Sequence, residues 1–222
     1  MTDLHGALVR SGMKTPRAAA IAGIVFSTLL IYSLWLLWVS VSADPLDPAS
    51  WLKTSSNKVS LALNLIPFAG IAFLWFLGVL RDRLGVMEDR LFATVFLGSG
   101  LLFLGMTFVA ASAMGGLILA HSAAPGAASD VYPTLLNRAF AFSLMRIYAF
   151  RMAAVFMITT STLVLRTGIA ARWIAFLGYA AAALILVGSG LLDWVLAVFP
   201  FWVLLLSVYV LFDNLRRSPQ PV

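Results

Sequence analysis

The sequence predicts an all-α, polytopic transmembrane bundle of six helices with both the N- and C-termini in the cytoplasm. Three observations predict it. First, 62% of the residues are hydrophobic and only 11% are charged, whereas soluble domains carry about 25% charged residues. A water-soluble fold could not hide that much apolar surface. Second, apolar runs of membrane-crossing length recur along the 222 residues. Third, Lys and Arg fall mainly in alternate connections, as expected for loops retained on the cytoplasmic side.

The first span is Ala18 to about Ser42, the second about Val59 to Leu80, the third about Leu91 to Ala120 and the fourth about Arg146 to Leu165. The stretch from Trp173 to Asp213 is twice the length that crosses about 30 Å of hydrocarbon at about 1.5 Å per residue, so it folds back on itself. The break falls at GSGLLDWV, where Gly188, Gly190 and Asp193 interrupt the run. Pro200 then lies early in the sixth helix, where a missing N–H costs least. The chain is thus read as a cytoplasmic segment 1–17, a transmembrane domain 18–213 and a cytoplasmic tail 214–222.

Orientation follows from the basic residues. One set of loops holds Arg10, Lys14, Arg17, Arg81, Arg83, Arg90, Arg166, Arg172, Arg216 and Arg217; the other holds only Lys53, Lys58 and Arg138. Ten against three places the first set inside. Trp35, Trp38 and Trp51 near the opposite face suit an interfacial aromatic belt. The VSVSA preceding Asp44 has the look of a signal-peptide cleavage site, but the apolar run before it exceeds the 7–15 residues of such a segment. An uncleaved first span is expected. Arg outnumbers Lys twelve to three, in the manner of high-GC bacterial genomes, which points to a bacterial inner membrane.

Small residues cluster in the third span (Gly98, Ser99, Gly100, Gly105, Ala111, Ser112, Gly115, Gly116) and the fifth (Gly178, Ala180 to Ala183). Such residues let helix backbones approach closely where lipid supplies no hydrophobic drive, so these two spans are expected at the bundle centre.

Much chemistry is excluded. No cysteine is present, which removes disulfides, thiolate catalysis and Cys-based metal sites together. The two histidines, His5 and His121, fall on opposite faces of the membrane and cannot share a metal or haem. No HExxH motif or glycine-rich phosphate loop occurs, and no span centre holds Asp or Glu for a proton relay. Neither metal nor cofactor is expected. The net charge of +6 reflects cytoplasmic loops rather than nucleic-acid binding, since no basic stripe interleaved with aromatics appears.

The polar candidates lie toward the outer face. In NRAFAFSLMRIYAFRMAAVFM, residues 137–157, Arg138 and Arg146 are read as headgroup anchors at the outer edge of the fourth span. Arg151 lies five residues deeper and roughly 140° round the helix from Arg146, so the two face different neighbours. Arg151 is expected to turn inward, and an inward-facing intramembrane charge marks a functional site. The expected ligand-binding set is Arg151, Arg146, Asp193 as counter-ion, Asn64 beside Pro67, His121 and Tyr148. No catalytic residue is assigned.

The inner loop GVLRDRLGVMEDRLF carries Gly78, Asp82, Arg83 and Gly85 in a GxxxDRxG pattern. It resembles the loop between spans two and three of major facilitator transporters, which implies a charged clamp on helices that alternate between states. Val86 and Met87 stand where that family has a basic pair, and the resemblance covers eight residues. More broadly, KTPRAAAIAGI, LNLIPFAGIAFLWFLGVLRDRLG, EDRLFATVFLGSGLLFL and VFMITTSTLVLRTG look like a group of small bacterial multi-span inner-membrane proteins, a resemblance that implies no activity. The function expected is small-solute transport or ligand binding at an outward-facing, arginine-centred site. The alternatives are an accessory or assembly subunit of a larger membrane complex and an enzyme acting on lipid headgroups. The expected partners are the lipid bilayer, a second copy of the chain or a larger membrane complex.

Overall fold

The computed structural model describes residues 2–42, 47, 50–84, 90–123, 131–189, 192 and 194–216, with side chains for all of these except 2–17, 82–84, 90, 131 and 214. Every described element is a helix: α1 (Thr2–Ser40), α2 (Trp51–Thr54), α3 (Ser56–Leu84), α4 (Arg90–Ala123), α5 (Val131–Ser143), a π-helical turn (Leu144–Ala149), α6 (Phe150–Thr167), α7 (Arg172–Gly188) and α8 (Val195–Arg216). Five helical stretches are long and apolar enough to cross a membrane: Ala18–Ser40, Ser56–Arg81, Leu91–Ala123, Tyr132–Thr167 and Val195–Asp213. The protein is therefore a helical bundle of multi-pass membrane type. The fifth expected span, α7, has 17 residues, about 25 Å at helical rise.

Neighbouring helices run antiparallel. Gly23 of α1 meets Phe76 of α3 and Ser207 of α8, Leu77 of α3 meets Gly100 of α4, and Gly100 meets Phe156 of α6. The bundle thus has a proximal end, where α3, α6 and α8 finish, and a distal end, where α1 and α4 finish and α3, α5 and α8 begin. At its middle, Phe26, Phe73, Phe96, Phe103, Phe150, Phe156 and Phe199 are all buried. Their rings pack edge-to-face or tilted, as in Phe103 against Phe199 at 4.9 Å and Phe73 against Phe156 at 5.3 Å. Such pairs gain about 0.5–1.5 kcal/mol each beyond area burial, so this cluster fixes how five helices meet.

The fourth span differs from its sequence reading. Its helix starts at Val131 and runs to Thr167 through the π turn, so Arg146 sits inside a continuous helical rod rather than at its edge. The hydropathy of Asn137 and Arg138 breaks an apolar run, but a helix needs only backbone hydrogen bonds to continue.

This rod, rather than α4, is the bundle's centre. In its most apolar window 61% is buried, against 33% for α4. The small residues of α4 do not all work as expected: a Cβ on Gly98, Gly105 or Gly116 would meet nothing within 4 Å, and only Gly100 packs closely. In α7 the expectation holds at Gly178, whose added Cβ would lie 2.1 Å from Ser161 Oγ and 2.8 Å from Trp202. Only glycine admits that approach between α6, α7 and α8. The turn between α6 and α7 is made by Gly168 at φ 66, whose N–H caps the Val164 carbonyl at 3.0 Å, an αL stop that a side chain would strain.

Among the described residues the buried hydroxyls divide: Ser27, Thr160, Ser161, Ser189 and Ser207 have no hydrogen-bond partner, and others satisfy themselves on the preceding turn. Ser33 donates to the Leu29 carbonyl at 2.8 Å and Thr107 to Phe103 at 2.7 Å. One crosses between helices: Thr162 Oγ1 and the Tyr179 hydroxyl lie 2.7 Å apart, while Thr162 also donates to the Ile158 carbonyl.

Candidate functional site

A cavity of about 370 Å³ occupies the distal half of the bundle. Its wall is drawn from α1 and the two residues after it (Ile31 to Ser42), α3 (Leu63, Ile66), α4 (Thr107 to Met114), the α5–π stretch (Ala141 to Arg146) and α8 with the residue before it (Trp194 to Phe201). The space exists because α5 and the π turn pack chiefly on α4, whereas α1 packs on α3 and α8. The two halves of the bundle converge lower down, at the phenylalanines, and stand apart above them.

The lining is apolar except for Ser42, Thr107, the indoles and one charge, Arg146. No carboxylate belongs to the wall among the described residues. The π turn puts Arg146 there. The Phe150 N–H bonds back five residues to the Met145 carbonyl, which inserts an extra residue into one turn and resets the helical phase. Its guanidinium lies 5.4 Å from the Phe142 ring centroid, the same distance at which Arg138 approaches that ring. Arg138, Phe142 and Arg146 recur every four residues, and so share one face.

One further feature makes the wall receptive to negative charge. The N-terminal residues of α8, Leu196 and Ala197, line the cavity, and a helix N-terminus carries about half a positive elementary charge. Pro67 and Pro200 lie inside α3 and α8 and deprive the carbonyls of Leu63 and Leu196 of their intrahelical donors, which leaves acceptors for a hydrogen-bond donor rather than a place for an anion. Both of these residues belong to the wall.

Arg138 has a role that its sequence reading as a headgroup anchor missed. It is 4% exposed. One of its N–H groups donates to the Asp47 carbonyl at 2.8 Å and another to the Ser42 carbonyl. It thereby ties the stretch after α1 to α5, close to the negative end of the α1 dipole. Beside it, Asn137 donates to the Ala113 carbonyl of α4 at 2.8 Å. Asp47 in turn accepts from the Ser50 N–H and hydroxyl, each at 2.9 Å. Those bonds, the Ser50 backbone N–H first, with the Arg138 charge adding, hold its carboxyl below the ordinary value of 3.8 although burial opposes them. The four-periodic Arg–Phe–Arg pattern is the signal from which Arg138 could have been found.

Of the five expected ligand-binding residues that are described, only Arg146 lines the cavity. Arg151 is exposed on the outside of the rod, as is Tyr148. The opposition of the two arginines predicted from helical spacing therefore stands, with the inward and outward assignments exchanged. Asn64 is exposed and its amide lies 3.4 Å from Ser60 Oγ of the same helix. His121 ends α4 with its Nδ1 buried and without a hydrogen-bond partner, outside the cavity wall. Asp193 lies outside the described residues. In the loop motif, Gly78 faces open space on α3; Asp82 and Arg83 fall in the last turn of that helix with undescribed side chains, and Gly85 is outside the described residues.

Among the described residues no group of three metal-ligating side chains exists. Compared with known proteins, the chain matches no family model, no curated protein and no solved structure.

Proposed function

We propose that this protein is a six-span membrane protein, termini cytoplasmic, that binds an anionic ligand in the distal cavity at Arg146, in the manner of a ligand-binding or small-solute transport protein. The observation that supports this reading is the placement of one guanidinium, at a π turn, in the wall of an otherwise apolar cavity of about 370 Å³. Intramembrane charges are costly and, where they face a cavity, mark substrate pathways. π turns inside α-helices gather at functional sites for the same reason: they re-aim a side chain at the expense of local helix stability. The basic residues of the inner loops, ten against three, support the orientation, and α7 at 17 residues is at the short limit of a crossing.

Three of the seven tryptophans, Trp35, Trp38 and Trp194, line the cavity, so indole fluorescence reports its occupancy. The test titrates phosphate, benzoate and oleate into the purified protein. At least one of these should change the emission saturably, Arg146→Gln should weaken that response and Arg151→Gln should leave it. A response that depends on Arg151 and ignores Arg146, or no response to any of the anions, overturns the proposal.

A second reading, an accessory subunit or a homo-oligomer, is supported by one face of α4. Gly98, Gly105 and Ser112 recur every seven residues, and both glycines face open space. Small residues at such spacing suit a close helix–helix contact within the membrane. Cross-linking in native membranes through Gly105→Cys separates this reading from a solitary bundle.

A further inference from the structure

We infer that the outer flank of the fourth rod holds, at Arg151, the phosphate of one phospholipid from the distal leaflet. The inference stands apart from the Arg146 reading: it concerns the outside of the bundle and a different guanidinium.

The first argument is the state of that charge. From Ala149 to Leu165, Arg151 alone is exposed, and among the described residues it has no hydrogen-bond or ion-pair partner. Other arginines of the rod are engaged: Arg138 on two carbonyls and Arg166 over the Phe92 ring at 5.4 Å. Phe150, next to Arg151, packs against Phe103 and Phe199 in the ring cluster. Arg151 is thus deep in the bundle, about 22 Å at helical rise from Arg166 near the proximal end. Charges at such depth are rare without a partner.

The second argument is the length of α7. Arg151, Val155, Ile158 and Thr162 recur at helical spacing and share a face, and Thr162 meets Tyr179 of α7 at 2.7 Å. The turn at 168–171 sends α7 back antiparallel along α6. Thr162 is eleven residues from Arg151, whereas α7 has only nine left from Tyr179 to Gly188. α7 therefore stops just short of Arg151. A Cβ on Gly188 would lie 3.2 Å from Val195, so α8 starts at the same level and returns toward the rings. Distal of this step the rod packs chiefly on α4, and Tyr148, Phe140, Leu136 and Tyr132 are exposed along it.

The third argument is what fits the step. Cα–Cβ bonds tilt toward the helix N-terminus, which is distal in this rod, so Arg151 extends from the end of α7 toward the distal leaflet. Tyr148, three residues before it and 54% exposed, adds a phenolic O–H to the five guanidinium N–H donors. A phosphate accepts from both, and its pairing with a guanidinium is bidentate. The acyl chains then run along α7, where Leu184 and Val187 are exposed. A second protein chain would have to bring a carboxylate to this depth; every phospholipid of the leaflet already carries a phosphate. The other use of Arg151 is to complement the negative end of the α7 dipole, which requires no lipid.

The experiment adds lipids to the delipidated full chain in mild detergent and reads retained adducts by native mass spectrometry. The probes are dioleoyl phosphatidylglycerol and dioleoyl phosphatidylcholine, with dioleoylglycerol as chains without phosphate and inorganic phosphate as a head without chains. Both phospholipids should be retained, one per chain, and dioleoylglycerol about tenfold more weakly or worse, the worth of a charge-assisted hydrogen bond. Inorganic phosphate should not be retained at matching concentrations. Arg151→Gln should bring the phospholipids down to the level of dioleoylglycerol, Arg151→Lys should recover part of the difference, and Tyr148→Phe should lose a smaller part. Arg172→Gln, at the proximal end, should change nothing. Equal retention of dioleoylglycerol, or an equal loss in Arg172→Gln, overturns the inference. So does a lower thermal midpoint in Arg151→Gln with unaltered adducts, which assigns the charge to the α7 dipole. A dimer that is lost in Arg151→Gln and indifferent to lipid overturns it in favour of a second copy.

Discussion

Arg138 and Asp47 are 91 positions apart in the chain, yet a guanidinium N–H of the first donates to the backbone carbonyl of the second at 2.8 Å. With the parallel bond to the Ser42 carbonyl, this single buried side chain fastens the connection leaving α1 to the fourth spanning rod. Hydrogen bonds to a charged group contribute about 1.5–3 kcal/mol. Arg138→Ala should therefore lower stability by about 3 kcal/mol and reduce the thermal midpoint in detergent by several degrees. Arg138→Lys, a point charge without the planar fork, should recover part of that loss. An unchanged midpoint in Arg138→Ala would show that the tie is not structural.

Two glycine substitutions should behave oppositely. At Gly178 an added Cβ lies 2.1 Å from Ser161 Oγ, so Gly178→Ala forces α6, α7 and α8 apart and destabilises, by about 1–3 kcal/mol as overpacking does. Ser161→Ala in the same chain should restore part of this. At Gly98 the same change meets open space and should stabilise the helix by up to about 1 kcal/mol. Paired thermal midpoints check both signs.

The Asp47 carboxyl predicts a pH dependence. Its folded value lies below the ordinary 3.8, so it contributes stability above that value, where both folded and unfolded states are ionised, and loses the contribution as pH falls through the folded value. Asp47→Asn should thus have a lower thermal midpoint than the parent chain at pH 7, with the gap closing only below about pH 3.8. A gap that closed between pH 5 and 7 would assign the effect to another group.

Thr162 donates to the Ile158 carbonyl and also lies 2.7 Å from the Tyr179 hydroxyl, which makes Tyr179 the donor across the α6–α7 contact. Tyr179→Phe removes one interhelical bond. The loss should be small, about 0.6 kcal/mol, and Thr162→Val should not add to it, because the two changes delete the same interaction. Full additivity in the double variant would refute the assignment.

The helical, membrane-type class was readable from hydropathy because lipid imposes composition directly on any segment it touches. The break in the last long apolar stretch was readable too: α7 ends at Gly188 and α8 begins at Val195, within GSGLLDWV; the αL turn at Gly168 was not singled out. What failed was phase. A reading at 3.6 residues per turn carries Arg146 and Arg151 onto opposing faces but has no means to say which is inside, and no local composition flags the π turn at Leu144–Ala149. The start of the fourth rod at Val131 was equally hidden, since polar residues such as Asn137 and Arg138 end an apolar run without ending a helix. Arg138 looked like an anchor for headgroups because its acceptors are main-chain carbonyls nearly a hundred residues earlier, which no side-chain pattern advertises. The glycines of α4 misled for the converse reason: smallness permits close packing without supplying a partner.

The phenylalanine cluster gives the molecule a sidedness. Seven buried rings drawn from α1, α3, α4, α6 and α8 form a solid floor across the bundle, and the cavity stands entirely on one side of it. To pass from the cavity to the proximal end of the bundle, a guest would have to part these interlocked rings and the helices that carry them. In this conformation the bundle is a cup rather than a tunnel.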